Sequence, residues 1–319
     1  MLKVYFAPLQ GYTEDVYRRL HHQHIGGVDG YFTPFIRLEH GDLRSKDLRD
    51  IRPEFNEGVP VVPQAIAKDG KELETLTTAI SDYGYHRIDI NMGCPFPLQS
   101  KHGRGCGILP YPDKVAELMQ VVQSHAEISY SVKMRLGYED PNEWKQILPL
   151  LNDAPLTHIT LHPRIGSQQY KGTVDMNAFQ EFKAACKHDL IYNGDLLSVA
   201  DILQLEQQFP DLAGVMIGRG LLAHPTLALE YKYQCDPFLA AETLQNKSMN
   251  LLHEIKFLHA QLLEHYERTI PGEAQRLNKV KTFWDYMENT IGRKAWKKIE
   301  KAGNMKNYLA AIQELKEYK

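Results

Sequence analysis

The residues of this chain with the most chemical capacity gather in one stretch, Asn91-Met92-Gly93-Cys94-Pro95, which runs on into Gly103-Arg104-Gly105-Cys106-Gly107. The alternation Ile88-Asp89-Ile90 ahead of it reads as a half-buried strand, and the glycines after it let the chain bend sharply. A thiol with an ordinary pKa of about 8.5 is mostly protonated at neutral pH, so Cys94 suits a proton donor as well as a nucleophile. Cys106 reads as a small filler between glycines. Lys133 and Arg135 share a face of Ser129–Gly137 with Ser131, opposite Tyr130, Val132, Met134 and Leu136. Cations on a buried strand need an anionic partner, either a bound ligand or a strand-end carboxylate. His162 has no second ligand two to four residues on, so no metal is expected there. It is either a hydrogen-bond donor to a bound group or a satisfied core histidine. Asn193-Gly194-Asp195 and Gly218-Arg219-Gly220 offer backbone N–H groups and a forked cation suited to a phosphate.

These residues need elements to hold them, and the pattern supplies eight strands. Short apolar or β-branched runs occur at 4–7, 31–36, 59–66, 87–92, 129–136, 157–162, 190–193 and 214–217. Helical periodicity fills most gaps between them, at 72–83, 112–125, 142–151, 176–186 and 198–208. Strands alternating with helices predict a (β/α)8 TIM barrel, an α/β fold, with a small all-helical domain after it. A doubly wound open sheet ranks second, because no G-x-G-x-x-G follows the first strand. Barrel sites collect at the carboxyl ends of strands. Every strand here ends in polar residues: Gln10, Arg37, Gln64, Asn91, Arg135, His162, Asn193 and Arg219.

Composition sets the outer bounds. A hydrophobic fraction of 43% is ample for a large core. No apolar run is long enough for a membrane helix. Four scattered cysteines without CxxC spacing argue against a disulfide framework or a structural zinc. The chain opens on a strand-like run, and the expectation is a cytoplasmic monomer with reduced thiols. The domains expected are a catalytic barrel over 1–239 and a helical domain over 240–319. That tail carries an excess of Lys and Arg on an otherwise acidic chain, and Pro271-Gly272 breaks its first helix. Lys279 and Lys281 precede Phe283-Trp284, and Arg293-Lys294-Ala295-Trp296-Lys297-Lys298 follows. This interleaving fits aromatics in the tail's core with lysines facing an RNA, or the same core with its lysines simply solvated.

Taken in order, these motifs resemble the tRNA-dihydrouridine synthase family. The likeness is carried by Ala7-Pro8-Leu9-Gln10-Gly11, Gln64, Asp89-Ile90-Asn91-Met92-Gly93-Cys94-Pro95, Ser131-Val132-Lys133-Met134-Arg135-Leu136-Gly137, His162-Pro163-Arg164, Asn193-Gly194-Asp195 and Met216-Ile217-Gly218-Arg219-Gly220. It implies an FMN-binding barrel with a helical tRNA-binding domain. FMN would be held by Pro8, Leu9, Gln10, Gln64, Lys133, His162, Asn193, Gly194, Asp195, Gly218 and Arg219. Asn91, Arg135, Tyr170, Arg37, Lys279 and Lys281 would meet the RNA, and Cys94 would be catalytic. The implied reaction reduces the uracil C5–C6 double bond. Hydride from FMN, regenerated by NADPH, goes to C6 and a proton from Cys94 to C5. The target base must leave its stack to get there. Leu9-Gln10 and His162-Pro163-Arg164-Ile165 depart from the family's usual wording. Thr33-Pro34-Phe35-Ile36-Arg37 leans toward the bacterial branch that modifies uridine 16. A small-molecule FMN barrel of the dihydroorotate dehydrogenase type is the enzyme alternative, and a non-catalytic RNA-binding barrel the other. The glycine-rich run after Cys94 is expected to be a mobile loop over the base.

Overall fold

The computed structural model describes residues 1–236, 238 and 250–315 of the 319. Eight parallel strands form a barrel: β1 (Lys3–Phe6), β2 (Gly30–Phe32), β3 in two pieces (Val61–Val62 and Gln64–Ala65), β4 (Arg87–Met92), β5 (Ser129–Gly137), β6 (Leu156–Ile165), β7 (Asp189–Tyr192) and β8 (Gly214–Ile217). β1 lies between β2 and β8, with Tyr5 opposite Gly30 on one side and Met216 on the other. The ring closes at β3, whose first piece pairs with β2 and whose second pairs with β4. Pro63 sits at the break. It has no N–H to give, but its carbonyl accepts the Asp89 N–H at 2.9 Å, so the ladder continues across it.

The expected strands are found, with shifted ends. The second stops at Phe32, short of Pro34, although Ile36 still bridges Ala65. A hairpin follows that the sequence pattern did not announce, Leu38–Glu39 against Asp42–Leu43. Its turn is made by His40 and Gly41, both at positive φ (55° and 90°).

Helices cover the outside as the periodicity requires. In Gly70–Ser81, Leu73, Leu76 and Ile80 fall on one face and are fully buried, and the Asp69 side chain caps the Glu72 N–H at 2.9 Å. Val199–Gln208 starts with a capping box between Ser198 and Asp201. Among the described residues, no helix is long and apolar enough to cross a membrane.

The tail is helical, with Leu251–Thr269, Glu273–Lys281, Arg293–Glu300 and Met305–Gln313 as its main elements. Its aromatics turn inward. Trp284 and Tyr308 are fully buried, joined by Trp284 Nε1–H to the Tyr308 hydroxyl at 2.8 Å, with His259 Nε2 2.7 Å from the same hydroxyl. The first tail helix packs along Asp15–His24 of the barrel, and His24 meets Phe257 edge to face at 4.5 Å. The boundary expected between 239 and 240 lies outside the described residues.

Candidate active site

The carboxyl ends of the strands open into a cavity of about 1010 Å³. That is at the upper end of the range for small-molecule and cofactor pockets. Its wall brings together Cys94, Asn91, Lys133, Arg135, His162, Asn193, Gly194, Asp195, Gly218 and Arg219, with Pro8, Leu9 and Gln10 from the first strand end. Arg37 and Tyr170 stand on the wall as well. Of the residues expected to hold a cofactor, Gln64 alone is off the wall: it is fully buried, one layer below.

What Gln64 does there is visible in its hydrogen bonds. Its Nε2 donates to Asp89 Oδ2 at 2.7 Å, and its Oε1 accepts from Asn91 Nδ2 at 2.7 Å. Asn91 Oδ1 then accepts the N–H groups of Gly93 (3.0 Å) and Cys94 (2.8 Å). Asp89 also takes the Ser131 hydroxyl at 2.7 Å. A carboxylate only accepts, so Asp89 forces the Gln64 amide to face one way. Gln64 in turn forces Asn91, and Asn91 fixes the backbone of Cys94. Burial raises the Asp89 pKa to about 6, against the lowering effect of Gln64, Ser131 and nearby Lys133.

Cys94 is partly buried, and burial pushes its thiol pKa up, against the Phe96 N–H, Arg135 and Lys133, which pull it down. It therefore holds its proton at neutral pH, as a general acid must. Arg135 is aimed by donating Nε–H to the Gly93 carbonyl (3.0 Å) and Nη1–H to the Ile165 carbonyl (2.8 Å). Lys133 donates to Asn193 Oδ1 at 2.7 Å, and Asn193 Nδ2 donates to the Met216 carbonyl at 2.7 Å. Burial first, and Arg135 second, bring the Lys133 pKa down to about 8.

Arg164 organises the next strand end. It pairs with Asp195 and donates from Nη1 to His162 Nε2 at 3.0 Å. Because a guanidinium only donates, His162 carries its proton on Nδ1. Burial and the surrounding cations hold its pKa well below the ordinary histidine value, so the ring is neutral. Arg219 reaches the same Asp195 at 2.7 Å. One carboxylate thus faces two guanidinium groups, and with Lys133 and Arg135 nearby the cavity carries a cationic surplus suited to an anionic ligand. Tyr170, half exposed, lies under both Arg135 (5.5 Å to the ring) and Arg219 (4.5 Å).

Two expectations meet a different arrangement. The glycine run after Cys94 is folded inward rather than loose: Gly105–Ile108 is a buried 3-10 turn, and the Cys106 N–H donates to the Cys94 carbonyl at 3.1 Å. Gly105 sits at φ 59°, where an added Cβ would lie 2.5 Å from the Cys94 carbonyl oxygen. Lys279 and Lys281 are off the cavity wall and spend their ammonium groups on protein acceptors. Lys279 donates to the Gly11 carbonyl (3.0 Å) and pairs with Glu14 (2.8 Å), while Lys281 caps the carbonyls of Glu300 (2.7 Å) and Ala302 (2.6 Å). Both lysines hold the tail together and to the barrel.

Other wall residues had no local signal. Tyr286 comes from the tail, lies tilted against Tyr12 (5.2 Å between rings), and sits beside Asp285, which accepts the Tyr12 hydroxyl at 2.7 Å. Phe96, Leu98, Arg44, Lys46 and Leu197 complete the mouth. Among the described residues, no group of three or more His, Cys, Asp or Glu side chains has the geometry to hold a metal ion.

A family model described as dihydrouridine synthase (Dus) matches residues 5–318. The tRNA-dihydrouridine(16) synthase of Neisseria meningitidis serogroup B is 27% identical over 238 residues, covering 72% of this chain and 71% of the relative. The probable tRNA-dihydrouridine synthase 2 of Bacillus subtilis is 28% identical over 271 residues, covering 82% and 78%. Among solved structures, morphinone reductase superposes with a TM-score of 0.52 at 10% identity, covering 73% of this chain and 86% of that one, a likeness of fold.

Proposed function

The chain belongs to the dihydrouridine synthase family, and we propose that it reduces the C5–C6 double bond of a uridine in tRNA, using FMN and NADPH. The observation that carries this reading is a protonated, partly buried Cys94 thiol on the wall of a cation-rich cavity large enough for a cofactor.

The side chains present suit FMN. Arg219, released from Asp195 or shared with it, and the backbone at Gly194 and Gly218 form a corner for a phosphate. Gly194 is closely packed, since a Cβ there would lie 2.2 Å from the Tyr192 hydroxyl. Lys133, Asn193, the neutral His162 and Gln10 supply hydrogen bonds for a polar ring edge. When bound and reduced by NADPH, FMN supplies the hydride equivalent that uracil C6 receives.

The chain's own task is to place the base and give the proton. Cys94 S–H is broken as a new C–H bond forms at C5, and the thiolate left behind recovers its proton from water. The Phe96 N–H, Arg135 and Lys133 all favour that thiolate, so the groups around Cys94 ease proton release without ionising it beforehand. Arg135 and Tyr170, on the cavity wall, are the candidates to line the uracil site, and Asn91 holds the Cys94 loop while presenting itself to the cavity. Lys294, Lys297 and Lys301 stand exposed along one tail helix and its end, and are the tail's candidates for RNA phosphates in a helical RNA-binding unit over 240–319. A cytoplasmic site of action follows from a tRNA substrate. Uridine 16 is the position to examine first, because the Neisseria relative bears it in its name.

The test incubates the flavin-loaded protein with NADPH and unmodified tRNA, then digests the tRNA for mass spectrometry. One D-loop uridine should emerge heavier by two hydrogens. A protein that oxidises NADPH yet leaves every uridine at its original mass would refute the proposal.

A further inference from the structure

Few large apolar side chains stand in solvent among the described residues, and four of them line the mouth of this cavity: Phe96 (58% exposed), Leu98 (64%), Tyr170 (50%) and Leu197 (56%). Phe96 is the one nearest in sequence to Cys94, and its backbone is held by the turn that follows it. Its carbonyl accepts from Gln99 N (2.8 Å), Ser100 N (3.0 Å) and Ser100 Oγ (3.3 Å). Pro95 and Pro97 restrict the residues on either side. An apolar ring fixed by a rigid backbone and left in water is a ready surface for another apolar face.

We propose that Phe96 is a stacking platform for the nucleotide flanking the target uridine. The inference rests on the reading that the substrate is an RNA uridine. A base that reaches Cys94 must leave its stack, so its neighbour loses a partner on one face. The ring beside the proton donor covers that face. The hairpin and short helix after β2 bring Arg37, Arg44 and Lys46 to the same mouth. Arg37 pairs with Glu39 at 2.8 Å, Arg44 lies 3.4 Å from Glu39 and 3.7 Å from Asp47, and Lys46 lies 3.7 Å from Glu14. Such cations suit the phosphates on either side of a splayed base. The ring and the cations together match a single strand, which needs one stacking surface and a cationic track.

The test uses flavin-loaded protein and tRNA transcripts carrying 2-aminopurine on the 5′ or the 3′ side of the target uridine. Wild type should quench the probe on one of these sides. Phe96→Ala should lose that quenching and bind tRNA roughly 5- to 150-fold more weakly, the range expected for one aromatic–base stack. Phe96→Tyr should behave as wild type. Phe96→Leu, which keeps apolar bulk without the ring, should lose the quenching too. Flavin reduction by NADPH without tRNA should be unchanged in all three. Equal quenching and affinity in wild type, Phe96→Ala and Phe96→Leu would overturn the proposal, as would slower flavin reduction in their place, since the ring would then serve the nicotinamide. Failure of the underlying reading looks different: wild type itself would make no dihydrouridine.

Discussion

The Asp89–Gln64–Asn91 relay makes a prediction about amide direction that only a relay can satisfy. In Asn91→Asp the oxygen that caps the Gly93 and Cys94 N–H groups is kept, but the donor toward Gln64 Oε1 becomes an acceptor across a gap of 2.7 Å. Gln64 cannot turn over to help, because its Nε2 is committed to Asp89 at 2.7 Å. Leaving one oxygen of a buried carboxylate without a donor and against another acceptor costs about 3–5 kcal/mol. Asp89→Asn alone should be mild, about 1 kcal/mol, since the new amide can accept from Gln64 and donate to Ser131 Oγ. In the double variant the whole chain can reverse: the amide introduced at position 89 donates to Gln64, and Gln64 donates to the carboxylate introduced at position 91. The double variant should therefore be about 2 kcal/mol or more above the sum of the singles, measured by chemical denaturation. Native-state amide exchange at Gly93 and Cys94 should accelerate in Asn91→Asp and return toward wild type in the double variant. Additive losses, or amide exchange at Cys94 indifferent to all three, would refute the relay.

Three further outcomes follow from the same geometry. The affinity of the empty cavity for FMN, followed by flavin fluorescence, should be highest below pH 8 and fall as Lys133 loses its proton through about 8. The charged lysine is the binding form, so Lys133→Gln should flatten that profile and weaken binding at pH 7 by roughly 10-fold. Gly105→Ala should destabilise by about 2–3 kcal/mol, because it combines positive φ with a Cβ 2.5 Å from the Cys94 oxygen. Gly58→Ala, at φ 73° with open space around it, should cost only about 1 kcal/mol in the same thermal-melt comparison. Lys279→Met should loosen the tail from the barrel, seen as faster amide exchange in Glu273–Lys281, with FMN affinity within about 2-fold of wild type.

Much of this arrangement is legible in the sequence because it is local. Strand alternation ending in glycine or a polar residue locates the barrel's strand ends, and a barrel gathers its strand ends at one mouth. That logic places Cys94, Lys133, Arg135, His162, Asn193 and Arg219 together from sequence alone. What escapes it is long-range. Asp89 belongs to the motif, yet its role depends on Gln64 and Ser131 from neighbouring strands. Lys279 has the composition of an RNA contact, but Glu14 from the far end of the chain reaches it in the fold. Tyr286 reaches the cavity from the tail, next to the hydrogen bond between Tyr12 and Asp285. The glycine run after Cys94 reads as a flexible loop, since glycine tolerates both a mobile loop and a tightly packed turn. The close approach of Gly105 to Cys94 shows the second use.

The role of Cys94 is tested most directly by a single-turnover experiment. Reduced, flavin-loaded wild type and Cys94→Ala are each mixed with unmodified tRNA, and dihydrouridine is followed with time. Removing a positioned general acid should slow its formation by roughly 100- to 10,000-fold, with flavin content unchanged. Dihydrouridine forming at the wild-type rate in Cys94→Ala would contradict the assignment of Cys94 as the proton donor.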